Sequence, residues 1–347
     1  MAAQKTSRKL VLVPKRAQRT RTAPDKAMPP PTPVRADLPR LDRDMTVAMA
    51  AHRVLKSCLA HLLDNRLPVL KSDDPEAIHQ ARVALRRLRA AIAIFKNALR
   101  NEEIAFLGHE ARWLADELGP ARDIDVFLAE VFEPVADAAC QDAEGLAAYR
   151  GAALELQRQR LARARAALRS RRFTAWRARF RNWLAADVAP PLAVVAGDDA
   201  GAVSARYRPV AAYAAEVLTK RDHKVRKRGH HVMNLDAEQR HELRITVKKL
   251  RYAAEFFGAI YPHSAKRYIK RLARLQDVLG RFNDVAVAQP LMRDIERATA
   301  NDGARASTEV HHVSGLIGGW HAARAAAAEQ KLRDRWRSFL AEGPFWP

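Results

Sequence analysis

From about residue 41 onward, apolar residues recur three and four positions apart almost without a break. No stretch shows the sustained apolar–polar alternation of a half-buried strand. Ala, Leu, Arg and Glu dominate this region, which suits helix. The pattern therefore predicts an all-α chain. Two helix starts stand out. In "SDDPEAIHQ" (72–80), Asp73 or Asp74 can cap, Pro75 fits the first turn and Glu76 complements the helix dipole. In "NLDAEQRHE" (234–242), Asp236 takes the cap position. The glycines of "ELGPARD" (117–123) and "VLGRFND" (278–284) are expected to end one helix and open another, with Asp123 and Asp284 capping the new helix in each case. "DVAPPLAVVAGDDAG" (187–201), with its Pro and Gly breakers, reads as a linker.

The two helix starts belong to a longer repeat. His79, Arg82, Arg86, Arg87, Leu88 and Arg89 correspond to His241, Arg244, Lys248, Lys249, Leu250 and Arg251 at an offset of 162. "LGPARDIDV" (118–126) corresponds to "LGRFNDVAV" (279–287) at 161, and "WRARF" (176–180) more weakly to "WRSFL" (336–340) at 160. An offset that drifts slowly over such a span indicates duplication of a domain-sized unit. The expected architecture is two tandem, pseudo-symmetric antiparallel helical bundles, 41–187 and 202–342, joined by a linker at 188–201.

Each repeated helix has two faces. At about 100° per residue, His79, Arg82, Arg86 and Arg89 lie within about 80° of arc, while Ala84, Leu85, Leu88, Ile92 and Phe95 lie opposite. His241, Arg244, Lys248 and Arg251 form the second stripe against Leu243, Val247, Leu250, Ala254 and Phe257. An ordinary solvated helix face interleaves Glu with Lys at i,i+4, which relieves repulsion. Here no carboxylate occupies a stripe position, so like charges stack, as they would against an anion. "KRYIKRLARL" (266–275) adds Lys270 and Arg274 near one face of the next helix, and "KRDHKVRKRGHH" (220–231) is a further basic cluster.

Composition agrees with that emphasis. The 347 residues carry 61 Lys+Arg against 39 Asp+Glu, a formal net charge of +22. Such a field favours polyanions. Residues 1–40 hold seven of the 18 prolines and ten Lys/Arg with two Asp, so they are expected to form a disordered basic tail. Cys58 and Cys140 make no metal-type spacing and fit a reducing compartment. "HELRI" is not HExxH, and His230–His231 and His311–His312 lack partners at ligand spacing, so no metal or cofactor is expected. The apolar run "LVLV" (10–13) is too short for a signal or a membrane span, which points to a cytoplasmic protein off the membrane.

The motifs at 79–89, 118–126, 241–257 and 275–287 resemble those of the CHAD family, the conserved histidine α-helical domain, over roughly 41–342. The resemblance implies two pseudo-symmetric bundles whose cationic helices line a central groove or pore. It also implies binding of inorganic polyphosphate, often by a module sent to polyphosphate granules. By position, the binding residues would be His79, Arg82, Arg86, Arg89, His241, Arg244, Lys248 and Arg251, with Lys270 and Arg274 beside them. Asn283 stands where the first half has Arg122, and His109 and Trp113 stand where the second has Lys270 and Arg274. No ExExK pattern marks an accompanying triphosphate tunnel domain. The expected function is therefore non-enzymatic polyphosphate binding. Nucleic-acid binding is the alternative, disfavoured because the stripes lack aromatics on which bases could stack.

Overall fold

The computed structural model describes residues 31–99, 102–138, 143–186, 206–261, 264–299 and 304–347, and every regular element among them is helical. The first half contains α1 (Val47–Asp64), α2 (Arg66–Lys71), α3 (Pro75–Phe95) and α4 (Glu102–Val126). Helix α4 runs on through π-helical turns at Phe127–Phe132 into α5 (Glu133–Ala136), and α6 (Ala143–Arg169) and α7 (Arg171–Ala186) come next. The second half contains α8 (Val210–Arg228), α9 (Ala237–Phe257), α10 (Ala265–Thr299) and α11 (Ala304–Leu340). In the first half α1 packs on α3, α3 on α4 and α4 on α6; in the second, α8 packs on α9, α9 on α10 and α10 on α11.

The caps form where the residue types favour them. Asp74 accepts a hydrogen bond from Glu76 N at 2.8 Å, with Pro75 in the first turn of α3. Asp236 and Gln239 make a reciprocal capping box at the start of α9. The expected breaks at the glycines do not occur. Gly119 and Pro120 lie inside α4, and Gly280 lies inside α10. Leu118, Ala121 and Ile124 around the first are almost fully buried, so tertiary packing overrides the local breakers. Asp123 is consequently a mid-helix residue rather than a cap; the side chain of Asp284 lies outside the described residues.

The tail boundary also moves. Residues 31–40 contain no helix, yet Val34 N donates to Asn65 Oδ1 at 3.0 Å and Asn65 Nδ2 donates to Val34 O at 2.8 Å. Ser57 Oγ donates to Asp37 O at 2.9 Å and Arg53 Nη1 to Arg40 O at 3.1 Å. Polar side chains of α1 and Asn65 satisfy this segment's backbone, a device that composition does not reveal. Residues 1–30, the linker at 188–201 and Cys140 lie outside the described residues.

The halves share their cores. The larger core takes Leu85, Leu88 and Phe95 from α3 together with Leu243, Leu250 and Phe257 from α9. A smaller one joins Ile124, Phe127, Phe132 and Tyr149 to Leu291, Ile295, Val310 and Ile317. Residues from both expected ranges, 41–187 and 202–342, therefore pack in common cores. Phe95 and Phe257, equivalent in the repeat, meet edge to face at 5.9 Å. Ahead of α1 and α8, Val47 N donates to Arg208 O at 3.1 Å and Val210 N to Met45 O at 2.7 Å. Trp176 and Trp336 are buried, as their matching sequence places suggest.

Candidate anion-binding cavity

Burying the leucine face of α3 and of α9 in one core turns both cationic faces toward a single cavity of about 910 Å³. His79, Arg82 and Arg86 from α3 and His241, Arg244 and Lys248 from α9 line it. Six of the ten residues expected from sequence are thus brought together. Arg89 is exposed and does not line the cavity, but its charge acts on Lys248. Lys270 and Arg274 are exposed on the face of α10 that carries Asp277 and Arg281, one to two turns beyond the lining. Arg251 is not a lining residue and is engaged at the cavity's edge. Its Nη1 donates to Glu255 at 2.8 Å and its Nε to Gln276 at 3.0 Å.

The glycines that fail as helix stops have a packing role here. A Cβ on Gly119 would lie 2.8 Å from Arg82 Nη1, which instead crosses the bare backbone and donates to Ala115 O at 2.6 Å. Arg82 Nη2 also lies 3.9 Å from Asp123. The equivalent Gly280 faces Arg244, but more loosely, at 3.8 Å from Nε. The Nε atoms of Arg82, Arg86 and Arg244 are all buried without a hydrogen-bond partner among the described residues, a cost the fold carries to keep these charges here.

The electrostatics come from the crowding. Burial pushes the Lys248 ammonium down to about 8, helped by Arg86, Arg244, Arg82 and Arg89. Burial also lowers the pKa of His79, with Arg122 and Arg86 adding to it against the opposing pull of Glu76. Charges from both halves therefore converge on one place, and the acidic side of the cavity does not cancel them. That side carries Asp123, Glu130, Asp277 and Asp294, of which Asp294 is taken by Arg160 at 2.6 Å.

Sequence reasoning did not assign Arg122, Arg160 and Arg281 to the site, although all three line the cavity. Arg122 and Arg281 stand beside the repeated glycines, a signal open to reading once those glycines are known to be intrahelical. Arg160 has no counterpart in the repeat motifs. The cluster at 220–231 is partly structural: Arg226 pairs with Asp222 at 2.7 Å and Arg228 with Glu242 at 2.5 Å. Arg87, adjacent to the stripe, is buried and pairs with Glu255 across the halves at 3.4 Å, over the Phe256 ring.

The family model for the CHAD domain matches residues 53–293, most of the chain. The chain belongs to the CHAD domain family. A CHAD domain crystal structure from the plant Ricinus communis is similar to it at 29% identity and a TM-score of 0.73, covering 88% of this chain and 96% of that one. PptA from Streptomyces chartreusis, at 16% identity, shares the fold with a TM-score of 0.59 over 84% of this chain and 100% of its own. No curated protein matches the sequence. Among the described residues of this CHAD domain, no cluster of His, Cys, Asp and Glu could hold a metal ion. No described helix is long and apolar enough to cross a membrane.

Proposed function

We propose that this CHAD domain binds inorganic polyphosphate in the shared cavity and leaves it chemically unchanged. One observation carries the reading: Lys248 lies in the cavity among four arginines drawn from both halves, and burial first, with those charges added, depresses its ammonium to about 8. A row of like charges that destabilises the empty fold is relieved by a ligand of opposite charge. A phosphate chain supplies that charge at every unit, and arginine offers paired donors to its oxygens. The association of the CHAD family with polyphosphate supports the same ligand. Nucleic acid is the poorer fit. Phe127 is the one Phe, Tyr or Trp among the described lining residues and is itself buried, which leaves only the small rings of His79 and His241, set between arginines, for a base to meet. The same affinity would bring the chain to polyphosphate granules.

The test is a calorimetric titration with polyphosphates of increasing length, with ATP and duplex DNA as controls. Affinity is expected to rise with chain length and to fall linearly in log–log form with salt, as counterions are displaced. Polyphosphate should displace DNA at matched phosphate concentration, and phosphate release should stay at background with or without magnesium. Equal affinity for DNA, or no dependence on salt, would overturn the reading.

A further inference from the structure

We propose that Lys248 is a site of covalent acylation, with acyl phosphates as the donor class. The inference rests on the cavity being a phosphate-binding site, since it uses the arginines to hold the donor's phosphate. Its geometric basis is a difference within the repeat. The residue equivalent to Lys248 is Arg86, and both line the cavity, but only the lysine offers an amine that can become a nucleophile. Lys248 is also the one lysine among the described lining residues. An acyl phosphate whose phosphate sits on Arg86 and Arg244 is thereby held against a single amine.

Burial first, and then charge, makes that amine reactive. Arg82, Arg86 and Arg89 act on it from α3 and Arg244 from one turn earlier on α9, while α10 presents Asp277 and Arg281, and α4 presents Asp123, to the same space. The outcome is an ammonium that loses its proton near pH 8. At pH 7.5 about a quarter of Lys248 is then neutral, against roughly a thousandth of an ordinary lysine. Lower basicity makes each neutral amine a weaker nucleophile and the docked phosphate draws the amine's pKa back up, so the advantage that remains comes from holding the donor beside the amine and is on the order of tenfold.

The step balances without a further reactant. The Nζ lone pair attacks the acyl carbon, the C–N bond forms as the bond from that carbon to the bridging oxygen breaks, and inorganic phosphate leaves carrying the amine's proton. The product is an uncharged amide at the centre of the cluster. Loss of one charge-assisted contact there weakens polyanion binding by about tenfold or more, so acylation would tune the site by the supply of acyl phosphates.

The experiment incubates the full chain with acetyl phosphate at pH 7.5 and low salt, and tracks acetyl-lysine by peptide mass spectrometry. Lys248 is expected to label about tenfold or more faster than the exposed Lys56 and Lys331. Tripolyphosphate should suppress labelling at Lys248 and leave the other two unaffected. Treatment should lower the polyphosphate affinity of the wild-type chain but not that of K248R, which cannot be acylated. If Lys248 labels no faster than Lys56 while tripolyphosphate still binds by calorimetry, the acylation proposal falls and polyphosphate binding stands. If tripolyphosphate neither binds nor protects, both fall.

Discussion

Replacing Lys248 with Met keeps the aliphatic stem and removes the charge, and its consequence for stability can be worked from the site. An ordinary lysine titrates at 10.5; in the folded chain Lys248 titrates near 8. Each pKa unit corresponds to about 1.4 kcal/mol, so holding Lys248 protonated in the empty cavity costs up to about 3 kcal/mol at neutral pH. That is a large fraction of a typical unfolding free energy of about 5–15 kcal/mol. The sign is fixed by proton counts. Between pH 8 and 10.5 the unfolded chain holds a proton on this residue that the folded chain has released, so stability rises with pH across that window and falls as pH drops through it. Urea unfolding of wild type and K248M, at pH 7 and again near pH 10, isolates the effect because other titrating groups cancel in the difference. K248M should be the more stable at pH 7 by up to about 3 kcal/mol, with the gap closing toward pH 10. Polyphosphate should then stabilise wild type more than the variant and take up protons near pH 8–9. A gap that stays constant or widens as pH rises, or a K248M chain less stable at pH 7, would refute the argument.

Charge reversal of R86E with R244E should abolish tight polyanion binding while circular dichroism still reports a folded helical chain; L88D or L250D, each fully buried, should unfold it. Alanine in place of a helical glycine stabilises by up to about 1 kcal/mol, and G280A should show that gain because its Cβ meets Arg244 only at contact distance. G119A should instead lose roughly 1–2 kcal/mol, because it displaces Arg82 from Ala115 O; equal responses in urea unfolding would show that the close approach is immaterial. The His79 imidazole, lowered by burial and then by Arg122 and Arg86, should rise in an NMR titration when polyphosphate binds. Affinity should accordingly increase as pH falls from about 8 to about 6, and H79Q should flatten that response in part, Lys248 contributing at its upper end.

The legible part of the sequence was the part that repeats. The caps at Asp74 and Asp236, the core faces of α3 and α9, and the six lining residues all come from helical period applied to a motif that occurs twice. Features that depend on partners distant in sequence stayed hidden. Gly119–Pro120 reads locally as a stop, and only the burial of Leu118, Ala121 and Ile124 keeps α4 intact through it. The segment 31–40 reads as tail because its anchors are hydrogen bonds to Asn65 and Ser57 rather than apolar burial. Arg160 joins the cavity through Asp294, 134 residues away, and nothing in either local sequence announces the pair.

The ends of the two stripes differ, and the cause is one residue. Glu255 on α9 stands at the place that Ala93 holds on α3. Its carboxylate accepts from Arg251 at 2.8 Å and from the buried Arg87 at 3.4 Å, so it fastens the two central helices and neutralises the end of the second stripe together. Ala93 can do neither. Arg89 accordingly makes no ion pair among the described residues, is exposed, and still contributes to the field that depresses Lys248. The two motifs present similar cationic helices, and Glu255, which joins them through Arg87, also takes up Arg251 on its own helix. The cationic field is therefore skewed toward the Arg89 end of α3. A polyanion too long for the cavity would find Arg89 open to it, whereas Arg251 is already held by Glu255.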